Sequence, residues 1–134
     1  MTKYFADTWY LIARLARDDA HHAAAVRIQK RMPTAALLTH DAVLTELLAY
    51  FCDEGVVMRA AAAGLARDLL STIEIVHADR PLFLRALTRY EHRLDKEYSL
   101  VDCMSMVVME ERGVTHVLTN DHHFSQAGFT VVNQ

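Results

Sequence analysis

Glycine and proline are scarce in this chain, at four and two of 134 residues. So little punctuation excludes collagen-like and low-complexity architectures, and it predicts long helices joined by short connections. Cysteine is as rare: Cys52 and Cys103 are too few for a disulfide framework and lack metal-site spacing. Both lie in apolar, helix-like stretches, and the reading is two reduced, buried thiols in a cytoplasmic protein. Long apolar runs are missing too. The best, WYLIARLA at residues 9–16, is broken by Arg14 and preceded by Asp7, so it reads as neither a membrane span nor a signal peptide.

Nor is there an excess of positive charge. The formal net charge is -3, so no global basic footprint marks a nucleic-acid binder. This absence excludes less than the others, because a cluster of metal-binding carboxylates hides a basic remainder: neutralising four acids gives -3 + 4 = +1.

What is present is a 52% apolar fraction in a length that suits one domain over residues 1–134. Segments 3–7, 35–40, 72–78, 115–121 and 129–133 read as strands. Helical spacing fills 8–19, 18–32, 42–54, 56–71, 80–96 and 99–113 between them. Asp18 or Asp19 is expected to cap the second helix and Asp41 the third, which should run to Gly55; Pro81 is tolerated in a first turn. Strands alternating with helices predict a three-layer α/β/α sandwich around a mainly parallel sheet of about five strands. In such sheets ligands bind beyond the carboxyl ends of the strands. Asp7 and Asp121 each follow the last apolar residues of a strand, so both should emerge on that edge.

Two further acids sit in apolar company. Glu46 lies in VLTELLAYF and Asp102 in SLVDCMSMVVM. For Asp102 a first-turn or capping role is the structural alternative, since the helix dipole favours a negative group there. Glu46 has no comparable explanation. Four carboxylates gathered at one edge cannot all stay ionised without a cation, and oxygen-only ligands select Mg²⁺ or Mn²⁺ over zinc.

The stretches FADT, TELL, SLVDCMS and LTNDHHF, with the closing GFTVVN, together resemble the PIN-domain family, and within it the VapC-type toxins of toxin–antitoxin pairs. The resemblance runs from Tyr4 to Val132. It implies a metal-dependent endoribonuclease that leaves 5′-phosphate and 3′-hydroxyl ends, with Asp7, Glu46, Asp102 and Asp121 as the catalytic, metal-holding acids. Thr8, Ser105, Thr119 and Asn120 are implied as supporting residues, Mg²⁺ or Mn²⁺ as the cofactor, RNA as the substrate. A VapB-like antitoxin and a second copy of the chain are the implied partners. A housekeeping PIN-domain nuclease and a non-catalytic PIN-like interaction module are the alternatives. A phosphatase built on Asp7 would need a second aspartate at the position held by Trp9.

Other residues carry weaker signals. Neither His21-His22 nor His122-His123 has the spacing of a zinc site; the second pair reads as exposed loop residues close to Asp121. Trp9 and Tyr10 read as core packing at the start of the first helix. The basic series Arg80, Arg85, Arg89, Arg93 and Lys96 reads as a solvated helix face with Asp95 as a local partner, and spacing does not choose which cation serves a substrate.

Overall fold

A computed structural model describes residues 1–134. Five parallel strands form one sheet: β1 (Tyr4–Ala6), β2 (Leu37–His40), β3 (Glu74–Val76), β4 (His116–Leu118) and β5 (Thr130–Val132). Their order is β3-β2-β1-β4-β5. The chain builds outward from β1 to β3, crosses back to β4, and then builds outward to β5. Right-handed crossovers running in opposite directions place their helices on opposite faces, which gives the expected three layers. On one side α1 (Thr8–Leu15), α2 (His22–Arg31), α3 (Asp41–Tyr50) and α4 (Val56–Thr72) follow one another, with α1 packed on α2 and α3 and α3 on α4. On the other, α5 (Arg80–His92) packs on α6 (Leu100–Arg112), and α6 lies on β2.

The core is a cluster of 30 buried apolar residues that includes Phe5, Leu38, Val117 and Leu118 from the strands. In α6 every residue from Cys103 to Met109 is buried. A helix apolar on all sides must be enclosed, so α6 is the helix the sheet and α5 cover most completely. Its start is fixed by a capping box: Ser99 Oγ accepts from the Asp102 amide at 3.0 Å, and Asp102 Oδ2 accepts from the Ser99 amide at 3.1 Å. Gly113, at φ 67°, ends it in the left-handed conformation that suits glycine.

Several element ends differ from the sequence reading, each for a local reason. Asp19 does not cap α2; its carboxylate accepts from the His21 amide at 2.8 Å, shaping a turn that delays the helix to His22. Asp41 lies inside the first turn of α3 with His40 at the cap, and its Oδ2 accepts from the Ala78 amide at 2.7 Å, tying α3 to the chain beyond β3. Helix α3 stops at Tyr50, because buried Phe51 begins a turn of three-residue hydrogen bonds. Cys52 falls in that turn and is exposed, unlike buried Cys103. A one-turn helix, α7 (His123–Gln126), follows β4 and was not legible as such. It is pinned by fully buried Phe124, whose truncation to alanine would cost about 3–5 kcal/mol.

Candidate active site

Strands β1 and β4 are neighbours at the point where the chain reverses its direction of growth across the sheet. The ladder between them continues one residue past β1, where the Asp7 amide donates to Leu118 O at 3.1 Å. Asp7 therefore leaves the sheet at its carboxyl edge beside Thr119, at the crevice where open parallel sheets bind ligands. Glu46 arrives from the middle of α3, Asp102 from the first turn of α6, and Asp121 from the loop after β4. The result is an open cleft of about 590 Å³ lined by Asp7, Thr8, Glu46, Asp102, Asp121 and His123, with Trp9, Tyr50, Glu97 and Ser99 at its margins.

Each acid is anchored. Thr119 Oγ1 donates to Asp7 Oδ2 at 2.7 Å and accepts from the Asp121 amide at 3.0 Å, so one hydroxyl spaces two carboxylates. Thr8 Oγ1 donates to Glu46 Oε1 at 2.5 Å, joining α1 to α3. Asp102 holds the cap of α6, and Asp121 Oδ1 accepts from the His123 amide at 2.9 Å in an Asx-type turn. Asp121 thus turns the chain and presents a carboxylate at the same time; the two roles do not exclude each other.

The electrostatics follow from this crowding. Burial pushes the Asp7 carboxyl up to about 7; the Thr119 hydroxyl opposes the shift, and the nearby Asp102 and Asp121 charges add to it. Burial also raises Glu46, against its hydrogen bond from Thr8 and with help from Asp102. Asp102 is raised by burial first and by Asp121 among its neighbours, while the Ser99 contacts and His123 pull it down. Neither lysine nor arginine lines the cleft, although five carboxylates (Asp7, Glu46, Glu97, Asp102 and Asp121) do. A site with that composition lacks a fixed counter-charge. Its donors are hard oxygens with one imidazole, and one ligand atom each from Asp102, Asp121 and His123 lie within 4.8 Å of one another. The donor set fits a divalent cation.

Not every residue picked from the sequence faces the cleft. Ser105 is buried beneath it, where its Oγ donates to Val101 O at 3.0 Å and lies 2.9 Å from His40 Nε2. Asn120 turns to a small groove on the other side, between Tyr10, His21 and Val132. Trp9, expected in the core, is 43% exposed and meets Tyr50 edge-to-face at 6.3 Å on the rim; Tyr10 is the one that packs inside. His123 is half-buried against Asp121, whereas the sequence reading left it as an exposed loop residue. A usable signal existed, because an Asx turn brings the residue two positions on to the aspartate.

The basic helix face also sorts itself. Arg85 and Arg89 are taken by Glu111 and Glu110 at 2.6 and 2.8 Å. Arg93 and Lys96 reach only Asp95, at 3.6 and 3.9 Å, and line a second groove with Tyr90 and Tyr98. That groove meets the acidic cleft at Glu97 and Ser99.

Residues 4–130 match the PIN domain family. Over 131 residues the chain is 32% identical to the 23S rRNA-specific endonuclease VapC20 of Mycobacterium tuberculosis, covering 96% of each chain. The crystal structure of that protein, described as a sarcin-ricin loop cleaving toxin, superposes with a TM-score of 0.89 at 29% identity, over 98% of this chain and 100% of the other. More distant structures share the fold: FitAcB from Neisseria gonorrhoeae at a TM-score of 0.74 and 16% identity, with 97% and 96% of the chains covered; and DNA-bound VapBC from Salmonella typhimurium at 0.67 and 19%, with 98% of each covered.

Proposed function

Because the chain belongs to the PIN-domain family, we propose that its acidic cleft is the active site of an endoribonuclease, the toxin of a VapBC-type toxin–antitoxin pair. The observation that carries this reading is the convergence of Asp7, Glu46, Asp102 and Asp121, from four separate elements, on one cleft without a fixed cation. Metal-free folding gives no reason to gather them, since each raises the cost of ionising the others.

Asp7, Asp102 and Asp121, with Glu46 alongside, would hold Mg²⁺ or Mn²⁺. A cation there supplies charge compensation for a phosphodiester and an acidified water for in-line attack. The protein's own residues do the rest. Thr119 fixes the spacing of Asp7 and Asp121, and Thr8 fixes one oxygen of Glu46 and leaves the other free to accept a proton. Trp9 and Tyr50 offer aromatic faces at the rim on which an unpaired base can stack. Arg93 and Lys96 give the phosphate backbone an approach that avoids the acids.

The 23S rRNA specificity of the 32% identical relative makes ribosomal RNA the first substrate to test, acted on in the cytoplasm by a single-domain enzyme. No helix of the chain is long and apolar enough to cross a membrane. An antitoxin would block the cleft by placing an arginine between the acids, bidentate on a carboxylate. A homodimer is part of the same reading. The exposed apolar residues available to its interface include Val56, Val57 and Leu70 on α4 and Phe83, Leu84, Leu87 and Tyr90 on α5. Light scattering should give twice the 15.2 kDa chain mass.

The test of the activity is cleavage of purified ribosomes and total RNA by the pure chain, with and without EDTA. Site-specific cleavage that EDTA abolishes is expected. Undiminished cleavage in EDTA would remove the metal mechanism, and no cleavage of any RNA would favour a non-catalytic module.

A further inference from the structure

The carboxylates are not the only donors in the cleft. His123 Nδ1 lies 3.1 Å from Asp121 Oδ1 and 3.8 Å from Asp102 Oδ2. That nitrogen is shut off from solvent and has no hydrogen-bond partner. One oxygen of each carboxylate and this nitrogen stand within 4.8 Å of one another, close enough to ligate a single ion. The ring is held in this position from several sides. Its own backbone amide is bound to Asp121, the edge of Tyr98 packs on it at 5.7 Å, and the His122 ring lies at 4.8 Å. Tyr98 is itself covered by the Arg93 guanidinium at 5.7 Å.

We propose that His123 supplies a nitrogen ligand to the cation held by Asp102 and Asp121, so that the site prefers Mn²⁺ to Mg²⁺. The inference rests on the metal reading above and adds a ligand to it. Magnesium takes oxygen ligands and keeps several waters, so an imidazole gives it little. First-row transition ions accept imidazole nitrogen readily. The four acids alone would leave Mg²⁺ and Mn²⁺ closely matched; the histidine separates them.

The experiment uses the full chain stripped of metal. Mn²⁺ is added to one equivalent and pulsed electron paramagnetic resonance reads coupling from directly bound ¹⁴N. Calorimetry then compares Mn²⁺ and Mg²⁺ on the wild type, His123→Ala and His123→Gln, with circular dichroism as the control for folding. The expected result is nitrogen coupling in the wild type that both variants lose, a drop in Mn²⁺ affinity of roughly tenfold or more, and little change for Mg²⁺. Bound Mn²⁺ without nitrogen coupling, or coupling that survives in a folded variant, overturns the inference while leaving the carboxylate site standing. Equal weakening of both ions also overturns it, since it assigns His123 to shaping the loop. Absence of Mn²⁺ binding in the wild type would instead remove the metal reading itself. The wild-type spectrum needs no variant, so a misfolded substitution cannot shield the proposal.

Discussion

The two halves of the cleft hold their acids by different means. Asp7 and Glu46 are tethered by threonine hydroxyls from neighbouring elements, Thr119 and Thr8. Asp102 and Asp121 are tethered by backbone amides within three residues of themselves, Ser99 and His123. The first pair contributes nothing to local chain geometry, and Asp7 is almost wholly buried at 2% exposure. The second pair helps build a helix cap and a turn. Asp7, the most buried of the four, is therefore a burden on the fold that ligand binding explains, while Asp102 and Asp121 also serve the local chain through the cap and the turn.

The largest expected effect comes from Asp7. Asp7→Asn should lower RNA cleavage on the order of a thousandfold, about 4 kcal/mol of transition-state stabilisation, and yet melt at a higher temperature than the wild type in EDTA at pH 8. Lower stability of the folded variant would break the comparison, because it would mean that the Asp7 charge supports the fold.

The pH dependence of stability sharpens the same point. Asp7 titrates near 7 in the folded chain against 3.8 as its ordinary value. Its stabilising contribution is complete below about 3.8 and lost as pH rises through 7, worth about 4 kcal/mol. His40 acts in the other direction. Buried at the end of β2, it is pushed down to about 4 by burial, so the fold loses about 3 kcal/mol as pH falls from 6.5 to 4. Between those values the two slopes offset each other in the wild type, and Asp7→Asn leaves only that of His40. Urea midpoints at pH 4.5, 6.5 and 8 in EDTA should show the advantage of Asp7→Asn growing with pH. An advantage independent of pH would contradict the assignment.

At Asp121 the outcome should be milder. Asp121→Asn keeps an oxygen for the His123 amide, so circular dichroism and melting should be unchanged while cleavage falls roughly 10–100-fold, about 1.4–2.7 kcal/mol, with excess Mn²⁺ restoring part of it. Asp121→Ala should lose the turn as well, at about 1 kcal/mol of stability. Full activity in folded Asp121→Asn would reduce the residue to its turn.

The smallest effects belong to the tethers. Thr119→Val removes a donor to Asp7 and an acceptor from Asp121, whereas Thr8→Val removes only a donor to Glu46. Both should slow cleavage, Thr119→Val by about 1 kcal/mol and Thr8→Val by about 0.5. Single-turnover rates in the reverse order would mean that Glu46 needs its positioning more than Asp7 does.

Much of this arrangement was legible along the chain, and the exceptions have identifiable causes. Asn120 lies past the end of β4, where strand alternation no longer assigns a face; it lines the small groove with Thr119, while Asp121 lines the cleft. Ser105 follows Asp102 by less than a full turn of a helix enclosed on all sides, and the nearer partner was His40 of β2. Trp9 is adjacent to Tyr10 on α1, where Tyr10, Leu11, Ile12 and Ala13 are all buried, and nothing local marked Trp9 as the one on the rim. The sorting of Arg85 and Arg89 from Arg93 and Lys96 depended on where Glu110 and Glu111 of α6 happened to lie.

By itself the sequence determined the element types, their alternation and hence the layered sheet, because periodicity and turn chemistry act over a few residues. It also determined that two acids end strands and two sit in apolar helices. Tertiary structure alone decided that these four share a cleft with no lysine or arginine, that Asp7 is desolvated, and that His123 turns its nitrogen toward Asp102 and Asp121. Those outcomes depend on residues more than a hundred positions apart and on the exclusion of water between them, and both arise only when β1 and β4 lie side by side.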